Sequence, residues 1–239
     1  MQENIFRDVT TAQKYIHYLE TTDGKFQQQA LLDAIYPRLN EKKAKLILDA
    51  GCGTGWLTHA LSEKGLSVTG CDSSVELLKH AWKSGPTTMF NEVDITKPLP
   101  YPANYFDAII VNMAAQDVLN LTNLYQSISR PLRLGGWVFV TIPNPYYAYP
   151  VGVWKRGILG KLLGRKPKLI LPHKAIAQEQ NKPIATFARP LPDYINQALA
   201  SGLTFTHLQE IKSLTDSKTF GLEYQLHRYP LLLLLEFRK

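Results

Sequence analysis

One glycine-rich stretch, LDAGCGTG at residues 48–55, contains the residue types whose spacing best suits chemistry. Three glycines at alternate positions allow the backbone to turn sharply and to approach a ligand more closely than a Cβ atom would permit. An apolar run at 45–48 predicts a buried strand before the stretch, and helical spacing over 56–64 predicts a helix after it. Because the first N–H groups of that helix point into the same space, the stretch predicts a loop that binds an electron-rich group.

The carboxylate of Asp49, which precedes the glycines, narrows the choice of ligand. It would repel a pyrophosphate, but it can hold the ammonium of an amino-acid-like cofactor. Asp72 lies about 20 residues beyond the first glycine, as the ribose-binding acid of a dinucleotide fold does, but the loop lacks a glycine at the sixth place. The residues therefore favour S-adenosylmethionine, with a nicotinamide-binding fold and a ligand-free turn as the alternatives.

Three further predicted strands, at 66–71, 88–93 and 106–111, also end in a polar residue, namely Asp72, Asp94 and Asn112. Strands that alternate with helices at this spacing predict right-handed crossovers and a mostly parallel sheet covered on both faces. Ligands of such sheets bind outside the carboxyl ends of the strands. We therefore expect these side chains to share one rim with Asp49, although Asp94 alone could cap its own turn and Asn112 could end its strand without a ligand.

The length of the chain, 239 residues, fits one α/β domain with an insertion. We divide it into an N-terminal helical cap (1–40), a cofactor-binding core (41–145), a basic lid or substrate insertion (146–188) and the C-terminal part of the sheet (189–239). The remaining predicted elements are helices at 10–19, 26–39, 75–83, 121–134 and 192–200, strands at 137–142, 204–211 and 229–237, and a turn at 21–24. In the insertion the pattern breaks and predicts at most a short helix at 156–163.

The basic character of the chain is concentrated in the insertion. The chain has 27 Lys and Arg against 20 Asp and Glu, and seven of the basic residues lie between 151 and 174, where no acid occurs. Three interpretations are open: a solvated surface loop, a weak membrane-surface contact through 154–174, or a lid that presents cations to an acidic substrate. A lid with some interfacial character is favoured. Nucleic acid is disfavoured as a partner because the aromatic residues do not alternate along a groove-forming sheet.

Cysteine usage and apolar runs bear on the compartment. Cys52 and Cys71 each lie at the end of a predicted strand, which indicates small-residue packing rather than a disulfide. The N-terminus shows no signal-peptide pattern, and the longest apolar run, at 230–235, is too short to span a bilayer. We therefore predict a reducing, cytoplasmic setting and no metal site.

The ordered series of motifs resembles the class I S-adenosylmethionine-dependent methyltransferases, in particular the small-molecule branch often called type 11. Besides LDAGCGTG, the resemblance rests on GCDSS, EVDI, FDAIIVNMAAQDV, ISRPLRLGGWVFVTIPNP, FARPLPDYINQALASGL and RYPLLLLLEFRK. It implies a Rossmann-like, doubly wound sheet of seven mostly parallel strands with an antiparallel last strand, and an inserted lid after the fifth strand. It also implies methyl transfer to an N, O or C nucleophile of a small molecule, with S-adenosylhomocysteine as the product.

The resemblance further implies a set of cofactor-binding residues: Tyr15, Asp49, Gly51, Cys52, Gly53, Gly55, Asp72, Ser73, Asp94, Ile95, Asn112 and Met113. In this set the glycine backbone would line the methionine portion, Asp49 would stand near the ammonium, and Asp72 would take both ribose hydroxyls. Asp94 would accept from the adenine amino group, and the amide of Ile95 would meet the ring. Asn112 and Met113 would pass beneath the sulfonium, and Tyr15 would close over the cofactor from the N-terminal helix.

One departure from the family pattern concerns the catalytic base. Many members carry His-Pro after the fifth strand, where this chain has Asn144-Pro145. An asparagine cannot remove a proton from a substrate, so a base, if the chemistry needs one, must come from elsewhere. His173 and Asp117 are the candidates for that base, and Asn144 and Tyr146 complete the candidate catalytic residues. Two other functions stay open: a peripheral membrane methyltransferase acting on a lipid or quinone, and a non-catalytic S-adenosylmethionine-binding regulatory protein.

Overall fold

The computed structural model of the protein describes residues 5–83, 88–146, 176–179, 182–185, 187, 189–212 and 230–239. In chain order its strands are β1 (Leu46–Ala50), β2 (Ser67–Asp72), β3 (Met89–Glu92), β4 (Phe106–Asn112), β5 (Leu132–Pro143), β6 (Ile176–Glu179), β7 (Lys182–Ala185), β8 (Thr204–Ile211) and β9 (Leu232–Arg238). Its helices are α1 (Val9–Glu20), α2 (Thr22–Glu41), α3 (Trp56–Glu63), α4 (Val75–Lys83), α5 (Leu121–Ser129) and α6 (Leu191–Ala200). Two short 3-10 turns, Ile5–Arg7 and Ala115–Asp117, precede α1 and α5.

Seven of the strands form one sheet in the order β3-β2-β1-β4-β5-β9-β8. The pairs among β1 to β5 are parallel, whereas β9 runs antiparallel to both of its neighbours, β5 and β8. This arrangement confirms the predicted Rossmann-like sheet with an antiparallel last strand. The strand order reverses between β1 and β4, and the topology brings Asp49, Asp72 and Asn112 to the carboxyl edge on either side of that point.

Both faces of the sheet are buried, which explains why its strands are almost continuously apolar. Successive residues of β4 alternate between two hydrophobic clusters, with Ile109 and Val111 in one and Ala108 and Ile110 in the other. Helices α5 and α6 contribute to the first cluster, and α2 and α3 contribute to the second. The two clusters hold the strands in register and thereby fix where the polar residues at the strand ends lie.

The boundary between α5 and β5 differs from the prediction. Helical spacing predicts a longer helix, but α5 ends at Ser129 and β5 begins at Leu132. The physical reason is Pro131, which has no N–H for the helical hydrogen bonds. Gly135, predicted to close the helix, lies instead within β5 with a φ of 74°, where the pairing of β4 with β5 shifts register.

The connection between α1 and α2 also differs from the prediction. Composition predicts a turn at 21–24, but α2 begins directly after Thr21, whose hydroxyl oxygen accepts a hydrogen bond from Gly24 N at 3.1 Å. A Cβ on Gly24 would lie 2.1 Å from the carbonyl oxygen of Tyr18. Gly24 therefore allows close contact between two consecutive helices and does not form a loop.

Within the insertion, the described residues contain an antiparallel pair, β6 and β7, in which Ile176 pairs with Ala185. The sequence pattern predicts no strand here, because four-residue strands are too short for a clear alternation of apolar and polar positions. The predicted helix at 156–163 lies outside the described residues. No helix among the described ranges combines the length and apolarity needed to cross a membrane.

A buried ion pair joins α2 to the sheet. Glu236 of β9 is fully buried, and the Arg38 guanidinium donates from Nη2 to its Oε2 at 2.7 Å and from Nε to its Oε1. The hydrogen bond to Glu236 raises the pKa of Arg38. A fully buried carboxylate on β9 is tolerated because both of its oxygens are paired.

Removing the Arg38 guanidinium should destabilise the fold. Arg38→Met leaves the buried Glu236 carboxylate uncompensated and should lower the free energy of unfolding by about 3–5 kcal/mol, measured by urea denaturation. Lys79→Met is the matched control, because the Lys79 side chain is 56% exposed in its pair with Glu76 and the loss of that pair should cost at most about 1 kcal/mol. Equal losses for the two variants would contradict the prediction.

Candidate functional site

The glycine loop after β1 has an unusual backbone at each of its glycines. Gly51, Gly53 and Gly55 have φ angles of 80°, 56° and 74°, in the left-handed region that favours glycine. The N–H groups of Gly51 and Cys52 both donate to the carbonyl oxygen of Cys71, at 2.7 and 2.9 Å. The loop is therefore tied to the end of β2, next to the acid that follows.

The three glycines differ in what a side chain would meet. A Cβ on Gly51 would lie 2.7 Å from Ala114 Cβ, and a Cβ on Gly55 would lie 2.7 Å from the Phe90 ring. At Gly53 the nearest atom would be 3.7 Å away, an ordinary contact. The protein's own packing thus requires glycine at two positions, whereas a Cβ on Gly53 would make only ordinary contacts with Leu77 and Tyr15. The absence of a side chain at Gly53 would let a ligand approach the backbone closely.

Asp49 places a buried carboxylate beside this loop. Its side chain is 1% exposed, and its Oδ2 accepts a hydrogen bond from Thr58 Oγ1 at 2.6 Å. Its Oδ1 is buried and has no hydrogen-bond partner in the described part of the chain. Burial raises the pKa of Asp49 to about 7, and the neighbouring Asp72 carboxylate contributes to the increase. A ligand that donates a hydrogen bond or carries a positive charge would satisfy Asp49 Oδ1.

Asp72 holds the loop from the end of β2. Its Oδ2 accepts from Gly53 N at 2.9 Å and its Oδ1 accepts from Ser74 N at 2.8 Å. Burial raises the pKa of this carboxyl, while the hydrogen bonds act in the opposite direction. Ser73 lies beside it, and its carbonyl oxygen accepts from Arg7 Nε at 3.2 Å. The first turn of the chain therefore packs over the end of β2.

Tyr15 of α1 lies over the same edge. Its ring packs against Phe6 with 5.2 Å between ring centroids, and its Cε1 is the second-nearest atom to the space above Gly53, at 3.9 Å. Burial raises the pKa of the Tyr15 hydroxyl, and nearby Asp117, Asp72 and Asp49 raise it further. The Tyr15 side chain therefore lies beside Gly53 and is influenced by the carboxylates of the rim, and its role toward a cofactor stays a prediction.

Asp94 follows β3 and is bonded within its own turn. Its Oδ1 accepts from Thr96 N at 3.0 Å and from Thr96 Oγ1 at 2.6 Å, and Lys97 Nζ lies 3.3 Å from its Oδ2. Burial would raise the pKa of Asp94, but these hydrogen bonds outweigh that effect and lower the pKa. Its role toward an adenine stays a prediction. The neighbouring Ile95 is buried, with its Cδ1 3.4 Å from the position of a Cβ on Gly51.

The residues after β4 have a constrained geometry. Asn112 Oδ1 accepts from Thr141 Oγ1 at 2.7 Å, and Met113 N donates to Thr141 O at 3.1 Å. Met113 has a φ of 52°, a left-handed conformation that is strained for a residue with a Cβ. Such strain is often found at functional sites. The turn that follows contains Gln116, which is buried with a free Oε1 and which the sequence patterns do not single out.

The candidate catalytic residues have different surroundings. Asn144 is buried, its Nδ2 donates to Pro230 O at 2.7 Å, and its Oδ1 accepts from Tyr146 N at 3.0 Å, so its amide is bonded to the backbone. The Tyr146 side chain is exposed. Asp117 is partly buried and close enough to Tyr15 to raise the pKa of its hydroxyl. His173 lies outside the described residues. Among the three candidates that the structure describes, Asp117 is the one whose charge acts on a rim side chain, that of Tyr15.

Cys52 and Cys71 are both free and buried, in agreement with the packing role predicted for them. Burial raises the pKa of the Cys71 thiol to about 12. Within the described ranges, no group of three or more His, Cys, Asp or Glu side chains could hold a metal ion.

Comparison with known proteins adds independent information. Residues 48–140 match the model of the methyltransferase domain family of type 11. The chain is 30% identical over 117 residues to the ubiquinone biosynthesis O-methyltransferase of Nitrosomonas europaea, covering 47% of this chain and 48% of that protein. It is 31% identical over 109 residues to the malonyl-[acyl-carrier protein] O-methyltransferase of Enterobacter lignolyticus, covering 46% of this chain and 43% of that protein. The matched region thus spans about half the length of these curated relatives.

The fold is also found among solved structures. An S-adenosylmethionine-dependent methyltransferase from Mesorhizobium loti superposes with a TM-score of 0.64 at 24% identity, covering 82% of this chain and 91% of that one. The sheet order and the rim therefore define a class I methyltransferase fold. More narrowly, residues 48–140 match the type 11 methyltransferase domain family, which confirms the resemblance of the sequence motifs.

The pKa of Asp49 makes folding stability depend on pH. The folded-state pKa of about 7 exceeds the ordinary value of 3.8, so between these values the folded state holds more protons than the unfolded state. The free energy of unfolding should therefore fall as pH rises through this window. Asp49→Asn removes the charge, and its stabilising effect should be on the order of 2 kcal/mol larger at pH 8 than at pH 5.

Urea denaturation of wild type and Asp49→Asn at the two pH values measures this difference. Asp33→Asn, on the exposed surface of α2, makes the same chemical change away from the rim and serves as the control. The prediction fails if the two variants change stability in parallel with pH.

Proposed function

We propose that this protein transfers a methyl group from S-adenosylmethionine to an oxygen atom of a small-molecule acceptor and releases S-adenosylhomocysteine. The observation that carries the proposal is the buried Asp49 carboxylate, whose Oδ1 has no hydrogen-bond partner within the described residues. A cationic ligand that donates hydrogen bonds satisfies such an oxygen, and the ammonium of this cofactor is one. The family match supports the same choice.

The residues around the loop fit the cofactor. Asp49 would hold the ammonium, which removes the cost of its unpaired oxygen. Each oxygen of Asp72 accepts one backbone N–H, and each keeps a lone pair that a ribose hydroxyl can use. Tyr15 would cover the bound cofactor above Gly53, where a Cβ meets only ordinary contacts.

The remaining cofactor contacts rest on the family resemblance. Asp94 and the amide of Ile95 would face the adenine, and Asp94 would have to share its carboxylate with Thr96, to which it is already bonded. Asn112 and Met113 would pass beneath the sulfonium. The left-handed backbone of Met113 supports that placement, because strain of this kind is retained where function requires it.

The proposed reaction requires little acid–base catalysis by the protein. The cofactor, when bound, supplies a methyl group on a sulfonium, which is an excellent leaving group. The chain has to bind and align the two reactants and exclude water, and alignment alone can lower the barrier by about 7–11 kcal/mol. If a proton must be removed from the acceptor, Asp117 is the candidate among the described residues, since the amide of Asn144 is bonded to the backbone.

The names of the relatives support an oxygen acceptor. Both are O-methyltransferases, one of ubiquinone biosynthesis and one of a malonyl group on a carrier protein. The basic insertion, residues 146–188, would supply a lid over the acceptor. The C-terminal part of the chain would complete the sheet behind it.

A matched pair of glycine variants tests the cofactor site. Gly53 and Gly65 both have positive φ, and a Cβ would have room at both, so each change to alanine should cost about 1–2 kcal/mol of stability from backbone strain. The Gly53→Ala methyl group would stand in the space of the methionine portion and should weaken S-adenosylhomocysteine binding about tenfold or more. Gly65→Ala should bind with wild-type affinity. Isothermal calorimetry measures both, and equal affinities would contradict the assignment.

Methyl transfer itself separates an enzyme from a regulator. Wild-type protein is incubated with tritium-labelled S-adenosylmethionine and a small-molecule extract, and labelled products are separated by chromatography. A labelled product that Gly53→Ala fails to form supports the proposed transfer. Binding of the cofactor without any labelled product would instead support the non-catalytic regulatory protein.

The charge of the insertion favours a second candidate, a peripheral membrane methyltransferase acting on a lipid or quinone. Seven cations without an acid between 151 and 174 would bind an anionic surface, each contributing about 1 kcal/mol near it. Changing Lys161, Arg165 and Lys166 to Gln should reduce sedimentation of the protein with anionic liposomes. The same change at the exposed Lys14, Lys25 and Lys79 is the control, and equal sedimentation of the two triple variants would exclude this candidate.

A further inference from the structure

Gln116 is a buried polar side chain that the cofactor assignment does not use. It lies in the turn Ala115–Asp117 after β4 and is 6% exposed. Its Nε2 donates to the carbonyl oxygen of Met113 and, at 3.3 Å, to Asp117 Oδ2. Its Oε1 is buried and has no hydrogen-bond partner in the ranges that the structure describes. Leaving such an oxygen unsatisfied destabilises the fold, and a ligand that donates a hydrogen bond to it would remove this cost.

The orientation of the Gln116 amide follows from its neighbours. Both partners of Nε2, a carbonyl oxygen and a carboxylate oxygen, are acceptors. Rotating the amide by half a turn would place Oε1 against these two acceptors and lose both hydrogen bonds. The free atom of this side chain is therefore its oxygen, and the missing partner must be a donor.

The turn that carries Gln116 lies against the glycine loop. Ala114 Cβ is the atom that excludes a side chain at Gly51, 2.7 Å from where its Cβ would be. On the other side of Gln116, Asp117 is close enough to raise the pKa of Tyr15, the residue above the loop. Residues before and after Gln116 in the chain thus lie close to the proposed cofactor site.

The chain that returns from the insertion holds the same turn. Phe187 N donates to the carbonyl oxygen of Gln116 at 2.9 Å. The Arg189 guanidinium lies 4.5 Å from the Phe187 ring centre and donates to the carbonyl oxygens of Val118 and, at 2.9 Å, Leu119. Gln116 is therefore fixed between the cofactor side of the rim and the segment proposed to cover the acceptor.

We propose that Gln116 orients the methyl acceptor, with its Oε1 accepting a hydrogen bond from the hydroxyl group that becomes methylated. This inference rests on the proposed function and narrows its acceptor to a compound with a protonated hydroxyl. A carboxylate acceptor, such as a malonyl group, has no proton to donate at neutral pH and would leave Oε1 unsatisfied. The acceptor class is thus a phenol or another hydroxyl compound.

The role of Gln116 is orientation, because an amide oxygen is too weak a base to take the proton. In the transfer, the bond between the acceptor oxygen and the methyl carbon forms as the carbon–sulfur bond breaks. The electron pair of the broken bond stays on sulfur, and the hydroxyl proton passes to solvent. Gln116 keeps the oxygen lone pair directed at the methyl carbon by holding the hydroxyl hydrogen away from it.

The test uses the full chain saturated with S-adenosylhomocysteine, whose binding to the wild type is measured first by calorimetry. Absence of that binding would refute the proposed function itself. The loaded protein is then titrated with catechol and with its dimethyl ether, veratrole, which keeps the ring and both oxygens but has no hydroxyl. We expect the wild type to bind catechol about fivefold more tightly, as one hydrogen bond contributes about 1 kcal/mol.

Gln116→Met keeps the length of the side chain but has no strong acceptor, so it should lose the preference for catechol and keep its affinity for S-adenosylhomocysteine. Gln29→Met, on the exposed surface of α2 where Gln29 donates to Asp33, is the control and should behave as the wild type. In the wild type, the side-chain amide resonances of Gln116 should shift with catechol and not with veratrole. That measurement decides the question if the Met variant does not fold.

Three results would overturn the inference. The first is a wild type without a preference for catechol or without the resonance shift. The second is a Gln116→Met variant that keeps the preference. The third is a folded Gln116→Met variant whose affinity for S-adenosylhomocysteine falls about tenfold, since that would assign Oε1 to the cofactor.

Discussion

The burial of two carboxylates at one edge of the sheet is the constraint on which the rest of the site depends. Asp49 and Asp72 lose hydration in the folded chain, and the pKa values of both rise as a result. Hydrogen bonds from Thr58, Gly53 and Ser74 offset part of this cost, but one oxygen of Asp49 stays unsatisfied within the described structure. A ligand that pairs with this oxygen would offset the remaining cost, because a buried and incompletely paired carboxylate destabilises a fold.

Burial of the two hydrophobic faces of the sheet stabilises the fold and offsets the cost of burying the two carboxylates. Because successive residues of β4 pack into two different buried clusters, the positions of Asn112 and Met113 at the carboxyl edge of the sheet are fixed. The left-handed backbone of Met113 then turns the chain toward the glycine loop. The three glycines of the loop have different structural roles. Gly51 and Gly55 allow the loop to pack against Ala114 and Phe90, and Gly53 leaves room above the backbone. Packing therefore defines the site as much as polar chemistry does.

Sequence patterns predict the elements whose signals are local and miss those decided by tertiary contacts. The boundaries of α4 and β8 agree with prediction because helical spacing and alternation continue to their ends. The predicted boundary between α5 and β5 is wrong because Pro131 ends the helix while the apolar pattern continues past it. The rim acids follow from strand order, which alternating strands and helices predict. Gln116 has no local signal, since a single glutamine becomes informative only when its hydrogen-bond partners are known.

Asp49 Oδ1 and Gln116 Oε1, which both lack a hydrogen-bond partner in the described part of the chain, differ in charge. A buried carboxylate gains most from a cation, because a neutral donor would leave its negative charge uncompensated. A buried amide oxygen carries no net charge, so a neutral donor is enough to satisfy it. The charge of each oxygen therefore selects a different kind of ligand group, an ammonium at Asp49 and a hydroxyl at Gln116. Because of this difference, the methyl donor and the methyl acceptor would bind next to each other, and neither would compete for the other's site.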